Sequence, residues 1–154
     1  MRIQLVAFVM ALFLIAADEP KDDAVKAEMK KLEGTWITTS LISDGKKVPE
    51  EKAKLTTMTI KADGTWVMKN EKESWDGTFK IDPTKKPKTG QFVGKGGRFK
   101  DKTTLDIYEL DGDTLTFCYV IVPTGEESTK QRPTKFASEE GSGIWLSVLK
   151  REKK

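Results

Sequence analysis

The sequence predicts an all-β protein, a small antiparallel barrel of about eight to nine strands with a short N-terminal helix. After Gly34, short runs of alternating apolar and polar residues are separated by turn-forming residues. Most of these runs recur at the spacing of about 8–12 residues that is typical of sandwiches and barrels. No long helical repeat interrupts them, which argues against parallel βαβ units.

The N-terminus predicts an exported protein, periplasmic or extracellular. Arg2 precedes an uncharged apolar run over residues 3–17 that ends in Ala16-Ala17. This run is shorter than the roughly 20 apolar residues of a spanning helix and fits a cleavable signal peptide at 1–17. An uncleaved anchor is the alternative, and after cleavage we expect no stable membrane span. Residues 18–31 are interpreted as a linker with one or two helical turns, and residues 32–152 as the barrel domain.

Several β-runs can be delimited from the alternation and the turns. Asp63-Gly64 and Asp111-Gly112 each join two runs and predict hairpins, whereas Asp76-Gly77 predicts either a turn or a bulge. The runs that these signals delimit are 36–42, 55–62, 65–68, 78–81, 104–110, 114–122 and 144–149.

The alternation also defines an inward face, rich in aromatic residues and methionine. The candidate cavity residues on it are Met58, Ile60, Trp66, Trp75, Phe79, Phe117 and Tyr119. Eight-stranded barrels of this size either fill such a face with packed side chains or use it to hold one small ligand. Both interpretations stay open from the sequence.

Composition leaves few groups for catalysis. The 154 residues include no histidine, and Cys118 is the single cysteine, so neither a disulfide within the chain nor a multi-thiolate zinc site can form. The net charge of +3 is too even to indicate specific nucleic-acid binding. We expect no enzyme activity, no metal and no cofactor; a hydrolase using carboxylates is the remote alternative.

Two termini of the domain carry a recognisable pair of motifs. Gly34 and Trp36 form a Gly-x-Trp on the first strand, and Arg151 follows the last run. This pair resembles the lipocalin and fatty-acid-binding superfamily. The resemblance implies that Trp36 plugs the closed end of the barrel and that Arg151 packs across it in a cation–π contact.

Short motifs spread over about residues 30–151 resemble a more specific group. They are Gly34-Thr35-Trp36, Asp44-Gly45-Lys46, Val48-Pro49-Glu50-Glu51, Gly77-Thr78-Phe79, Ile81-Asp82-Pro83-Thr84-Lys85-Lys86-Pro87-Lys88, Ile107-Tyr108-Glu109-Leu110-Asp111-Gly112-Asp113-Thr114-Leu115, Arg132-Pro133, Gly141-Ser142-Gly143 and Leu149-Lys150-Arg151. In combination they resemble a family of small exported lipocalin-like domains, abundant in planctomycete bacteria and without an established function. The resemblance implies a barrel outside the cytoplasm and brings no catalytic residues.

The sequence departs from that pattern in two stretches that would alter one rim of a barrel. One is the apolar run after Cys118, with the Glu126-Glu127 loop. The other is the Gly- and Lys-rich part of a basic segment, residues 85–102, whose candidate anion-binding residues are Lys85, Lys86, Lys88, Lys95, Arg98 and Lys100. Glycine-rich backbone can form anion-binding nests. The alternative is a solvated hairpin loop.

Other chemistry-bearing residues have plainer interpretations. Asp63, Asp76, Asp111 and Asp113 all adjoin glycine turns, where aspartate stabilises the turn itself. Cys118 alternates out of step with its neighbours and is interpreted as a buried, inert thiol. We therefore expect a non-enzymatic module that binds a small apolar or amphipathic molecule. The alternative is a cell-envelope structural or interaction module that contacts acidic polymers or protein partners through the basic segment.

Overall fold

The computed structural model describes residues 22–125 and 130–153. The predicted signal peptide, the first residues of the predicted linker (18–21) and the Glu126-Glu127 loop lie outside these ranges. The described residues form the helices α1 (Asp22–Leu32) and α2 (Glu50–Ala53), the 3₁₀ turn Gly97–Phe99, and the strands β1 (Gly34–Ser43), β2 (Lys46–Lys47), β3 (Thr57–Ile60), β4 (Thr65–Lys69), β5 (Ser74–Asp82), β6 (Lys88–Gly94), β7 (Lys102–Asp111), β8 (Thr114–Pro123) and β9 (Trp145–Arg151).

Eight of these strands close into an antiparallel barrel. The strands β1 and β3 to β9 pair with their neighbours in sequence order, and β9 pairs back with β1. The two-residue strand β2 pairs only with the end of β1 and stands outside the ring. The predicted fold class, strand number and leading helix are confirmed. The helix α2 and the 3₁₀ turn were not predicted, because each is a short segment without its own periodicity.

Helix α1 covers one end of the barrel. Asp22 and Asp23 lie in its first turn, where acidic groups interact favourably with the helix dipole. Val25, Met29 and Leu32 are spaced by four and then three residues, and they place one apolar stripe against the barrel core. The helix has 11 residues, about three turns, so the prediction of one or two turns was too short. The many charged residues between the apolar ones hid the stripe.

The glycine turns divide into two kinds. Asp63-Gly64 and Asp111-Gly112 join β3 to β4 and β7 to β8, as predicted. Gly77, in contrast, lies inside β5 in regular register with Trp66, so neither a turn nor a bulge forms there. A Cβ on Gly77 would lie 1.9 Å from the carbonyl oxygen of Val93. The glycine is therefore required by close backbone approach between strands.

We call the end of the interior that α1 covers the lower half of the barrel, and the opposite end the upper half. Large side chains pack the lower half, and each is at least nine-tenths buried: Met29, Leu32, Trp36, Ile60, Phe79, Ile81, Tyr108 and Leu115. The chain reverses at the lower end after β3, β5 and β7. At the upper end β1 finishes, β9 starts, and the 3₁₀ turn connects β6 to β7.

The segment 130–144 lies against the outer side of the barrel wall. The Cys118 thiol donates hydrogen bonds to the carbonyl oxygens of Lys135 and Ala137, at 3.4 and 3.5 Å. Ile107, opposite Cys118 in the register, is also fully buried. Cys118 therefore faces away from the interior side chains Phe117 and Tyr119, and burial raises the pKa of its thiol. These contacts agree with the interpretation of an inert cysteine.

Candidate ligand-binding site

The upper half of the barrel contains a cavity of about 300 Å³. This volume lies at the small end of the range for ligand sites and has room for about ten water molecules. Of the seven residues predicted for a cavity, five line it: Met58, Trp66, Trp75, Phe117 and Tyr119. Ile60 and Phe79 do not line it, because they pack in the lower half. The barrel is thus filled at one end and hollow at the other.

Aromatic rings form much of the cavity wall and hold one another in place. The Trp66 ring meets Phe92 and Phe99 edge to face, with centroids 6.1 and 6.3 Å apart. Trp75 stacks on Phe99 at 6.1 Å, and Phe92 meets the edge of Phe117 at 5.5 Å. Such pairs add stability beyond their buried area and fix ring orientation. The wall is therefore largely apolar, and its rings are fixed by contacts with one another.

Phe92 and Phe99 were not among the predicted cavity residues. Both lie in the segment that was interpreted as a basic loop, and that interpretation hid them. The alternation of Gly90, Phe92 and Gly94 on the inner side of β6 is the signal that could have identified Phe92. Other apolar lining residues outside the predicted set are Leu41, Met68, Ile121, Trp145 and Leu149.

One carboxyl group, that of Asp106, lines the cavity among these apolar walls. Asp106 is only 3% exposed, and the Thr104 hydroxyl donates to its Oδ2 at 2.5 Å. Burial raises the pKa of Asp106 to about 7, against the opposing effects of the Thr104 hydrogen bond and the Arg132 charge. The group consequently changes its charge in the neutral pH range.

Sequence analysis did not identify Asp106. The signal was present, since strand alternation places Asp106 on the same side of β7 as Thr104 and Tyr108, and that side faces inward. An acidic residue at an inward strand position is unusual enough to indicate a site.

Further hydroxyl groups lie near the mouth of the cavity. Burial raises the pKa of the Tyr119 phenol to about 12, and a hydrogen bond with the Ser147 side chain opposes this shift. Tyr119 therefore keeps its proton at neutral pH. Its ring stacks on Trp145 with centroids 6.2 Å apart. The two rings support one side of the mouth.

Arg98 and Lys102 place positive charge at the mouth. The Arg98 guanidinium lies 4.3 Å from the centre of the Trp75 ring and 3.8 Å from a Glu73 carboxylate oxygen.

Gly97 has φ +62°, and a Cβ there would lie 2.7 Å from the Ser74 carbonyl oxygen. The 3₁₀ turn can pack this closely on β5 because position 97 is glycine.

The basic segment does not form a single loop, so that interpretation is wrong. Strand β6 runs through it and sends its charges to opposite ends of the barrel. Lys85 and Lys86 adjoin the lower turn, whereas Lys95, Arg98 and Lys100 adjoin the upper one, about 20 Å away for seven strand residues. High Gly and Lys content masked the strand. Anion binding by either group stays a prediction.

Lys88 has a separate role at the lower end. Its ammonium lies 2.6 Å from a carboxylate oxygen of Glu28, which is 4% exposed on helix α1. The Tyr108 hydroxyl donates to the same oxygen at 3.4 Å. Burial, followed by the Glu28 charge, raises the pKa of Tyr108. The three groups attach the helix to the barrel interior.

Trp36 and Arg151 close the lower end in the arrangement that the resemblance implies. The Arg151 guanidinium carbon lies 4.2 Å from the centre of the fully buried Trp36 ring. The guanidinium also donates to the carbonyl oxygens of Lys31 and Glu33, at 2.6 and 2.7 Å. Gly34 has φ +138°, and a Cβ there would lie 2.9 Å from the Arg151 side chain. The three residues thus form one closing unit at the end of α1.

Asp63 and Asp113, two of the carboxylates predicted at glycine turns, have structural partners. Asp63 accepts hydrogen bonds from both the backbone and the hydroxyl of Thr65, at 2.9 and 2.6 Å, which lowers its pKa. Asp113 pairs with Arg151 at 3.2 Å. In the described ranges, no group of three or more Asp, Glu, Cys or His side chains is placed to hold a metal ion. These residues serve turns and the lower closure.

Comparison with known proteins gives a structural similarity but no sequence match. No protein family model matches the sequence, and no curated protein is significantly similar to it. The chain is similar in structure to a crystal structure of a DUF4847 family protein from Bacteroides vulgatus ATCC 8482. The identity is 14%, the TM-score is 0.49, and the similarity covers 83% of this chain and 99% of the other. None of the described helices is both long and apolar enough to cross a membrane.

Proposed function

We propose that the upper half of the barrel binds a small apolar or amphipathic molecule and that the protein is a non-enzymatic binding module. The observation that carries this proposal is the contrast between a packed lower half and a cavity of about 300 Å³ above it. Protein interiors rarely leave voids larger than a water molecule. A cavity of this size, walled by interlocked aromatic rings, is suited to an apolar guest.

The proposal includes membership of the lipocalin-like superfamily, and of its exported planctomycete family. Eight strands paired in sequence order, with Trp36 under Arg151 at the closed end, support the first part. The combination of motifs around Asp44, Asp82 and Asp111 and the apolar run at 3–17 support the second, together with a location outside the cytoplasm. Protein purified from its host should begin after Ala17; a retained leader would contradict export by cleavage.

Binding of octanol tests the cavity directly, because Trp66 and Trp75 line it and their fluorescence reports on it. The variant Thr38→Phe adds an aromatic ring to a buried lining position. The matched control is Ile37→Phe, the adjacent residue of β1 on the opposite face. We expect saturable binding to the wild type and to Ile37→Phe, and an affinity at least about tenfold lower for Thr38→Phe. Absent binding, or equal affinities, would contradict the proposal.

A second candidate function is contact with acidic envelope polymers through the upper rim. It is favoured by the exposed side chains of Lys95, Lys100 and Lys102 around the mouth. Heparin serves as a probe polyanion. We expect the double variant Lys95→Glu/Lys100→Glu to lose its salt-sensitive binding to heparin. The control Lys85→Glu/Lys86→Glu, which changes charges at the far end of the barrel, should still bind heparin. Equal losses, or retention that salt does not affect, would count against it.

A further inference from the structure

We infer that Asp106 selects the ligand, and that the cavity takes a small amphipathic primary amine whose ammonium group contacts this carboxylate. The inference rests on the proposed function, because it assumes that the cavity is a binding site. It adds the chemical class of the head group and the direction in which the molecule enters. The apolar part of the ligand would lie against the aromatic wall and extend towards the mouth.

The position of Asp106 in β7 supports this orientation. Lys102, Thr104 and Asp106 line the cavity in turn from the mouth inward, and Tyr108, the next inward residue, packs in the lower half. Asp106 therefore lies where the hollow part of the barrel meets the packed part. A head group that reaches Asp106 must enter first, with the rest of the molecule behind it.

The carboxylate of Asp106 is poorly compensated by the protein. Among the described residues, Thr104 supplies its side-chain hydrogen bond, and the ion pairs do not include it. Arg132 is nearby, but its Nη1 donates to the main-chain oxygens of Asp106 and Gly90. Burial of a charged group is costly unless it is paired. A bound ammonium group would supply the missing partner.

The space for such a group is the cavity itself, because Asp106 is one of its lining residues. Gly90 lies directly opposite Asp106 in the register of β6 and β7. A Cβ on Gly90 would lie 3.4 Å from the Phe92 ring and 3.6 Å from the Cβ of Asp106, so a larger side chain there would crowd both groups. The rings of Trp66, Phe92 and Phe117 line the same cavity, and aromatic faces attract cations. The Asp106 carboxylate, the adjoining cavity and the aromatic rings together suit an alkylammonium ion.

The positive charges at the mouth favour a competing type of ligand, a carboxylate. Arg98 and Lys102 line the mouth and would attract a carboxylate there, with the chain pointing inward. Asp106 also interacts electrostatically with groups outside its own strand. They are Tyr119 and Cys118 on the neighbouring strand β8 and Arg132 in the outer segment. Octanoate therefore tests the mouth, and octylamine tests Asp106.

The experiment compares octylamine, octanol and octanoate by calorimetry at about pH 7.5, where an alkylamine with a lysine-like pKa of about 10.4 is charged. We expect octylamine to bind at least about tenfold more tightly than octanol. Asp106→Asn should remove that preference, because the neutral amide can still accept from Thr104 but carries no charge to pair with an ammonium group. Gly90→Val should weaken octylamine binding by crowding Asp106 and the Phe92 ring.

The outcomes separate this inference from the proposed function. Equal affinities of the wild type for octylamine and octanol would overturn the role of Asp106 and leave the cavity as a binding site. Tightest binding of octanoate would overturn it in favour of the basic mouth. Failure of all three probes to bind would overturn both. If Asp106→Asn does not fold, the wild type remains decisive: octylamine affinity should rise from about pH 5.5 to 8 while octanol affinity stays level.

Discussion

The lower and upper halves of the barrel interior are built from the same strands but differ in how the space between them is used. In the lower half, Trp36, Tyr108 and Leu115 are completely packed, and helix α1 covers the end. In the upper half, inward residues of the same strands surround about 300 Å³ of space and one buried carboxyl group. Alternation directs side chains inward in both halves, but among the described residues the apolar stripe of α1 packs only against the lower one. Stability should therefore depend on the lower half and ligand binding on the upper.

The largest expected effect is the loss of stability from Trp36→Ala. Removing a buried tryptophan side chain costs about 3–5 kcal/mol. This change also removes the hydrogen bond from Trp36 Nε1 to Leu32 and the surface beneath Arg151. The matched upper-half variant is Met68→Ala, at a half-buried cavity position, which should cost less than half as much. Denaturant unfolding measures both; equal costs would show that the two halves do not differ in this way.

The next effect concerns the pH dependence of stability. The carboxyl pKa of Asp106 is about 7 in the folded protein, and an unfolded aspartate ionises near pH 3.9. Between these values the folded state binds more protons than the unfolded state. The stability that the protonated Asp106 carboxyl group contributes is therefore present at about pH 4 and is lost as the pH rises through 7.

Asp106→Asn should remove this loss. Relative to the wild type, the free energy of unfolding of the variant should increase by about 2–4 kcal/mol between about pH 4 and pH 8. The size follows from a difference of about three units between the folded and unfolded pKa of Asp106. Unfolding curves across this range measure the difference, and Thr104→Val serves as a control that removes the hydrogen bond to Asp106 but keeps the carboxyl group. A constant difference between wild type and Asp106→Asn at every pH would contradict a raised pKa.

The smallest of these effects is at the lower closure. Gly34→Ala places a Cβ 2.9 Å from the Arg151 side chain at a backbone position with φ +138°. Strain in such a region costs about 1–3 kcal/mol. Gly112→Ala is the control, since it also has positive φ but has no atom within 4 Å of the added Cβ. In thermal unfolding, Gly34→Ala should lower the melting temperature more than Gly112→Ala does. A larger decrease for Gly112→Ala would mean that contact with Arg151 does not affect stability.

Much of the fold was predictable because it depends on short-range patterns. The turns at Asp63-Gly64 and Asp111-Gly112, and the inward alternation of Met58 and Ile60, follow from local chemistry that a single sequence displays. The pairing of β9 with β1 is a long-range closure, and it was expected only through the resemblance carried by Trp36 and Arg151.

The candidate site was less predictable for physical reasons. Whether an inward residue lines a cavity or packs in a core depends on what fills the opposite side, so Met58 and Ile60 look alike in sequence but lie in different halves. The alternation of β7 places Asp106 on the inward side, but the raised pKa of its carboxyl group comes from burial in the closed barrel. Lys88 was grouped with surface lysines because its partner, Glu28, is distant in sequence. Each of these properties arises from contacts that only the closed barrel creates.

Methionine methyl groups offer the most direct test of the division into two halves. Met58 and Met68 line the cavity, whereas Met29 lies on α1 and packs in the lower half. In protein with isotope-labelled methionine methyl groups, titration with octylamine should shift the NMR signals of Met58 and Met68 and leave that of Met29 in place. Signals that do not move, or a Met29 signal that moves as much as the other two, would contradict a ligand site confined to the upper half.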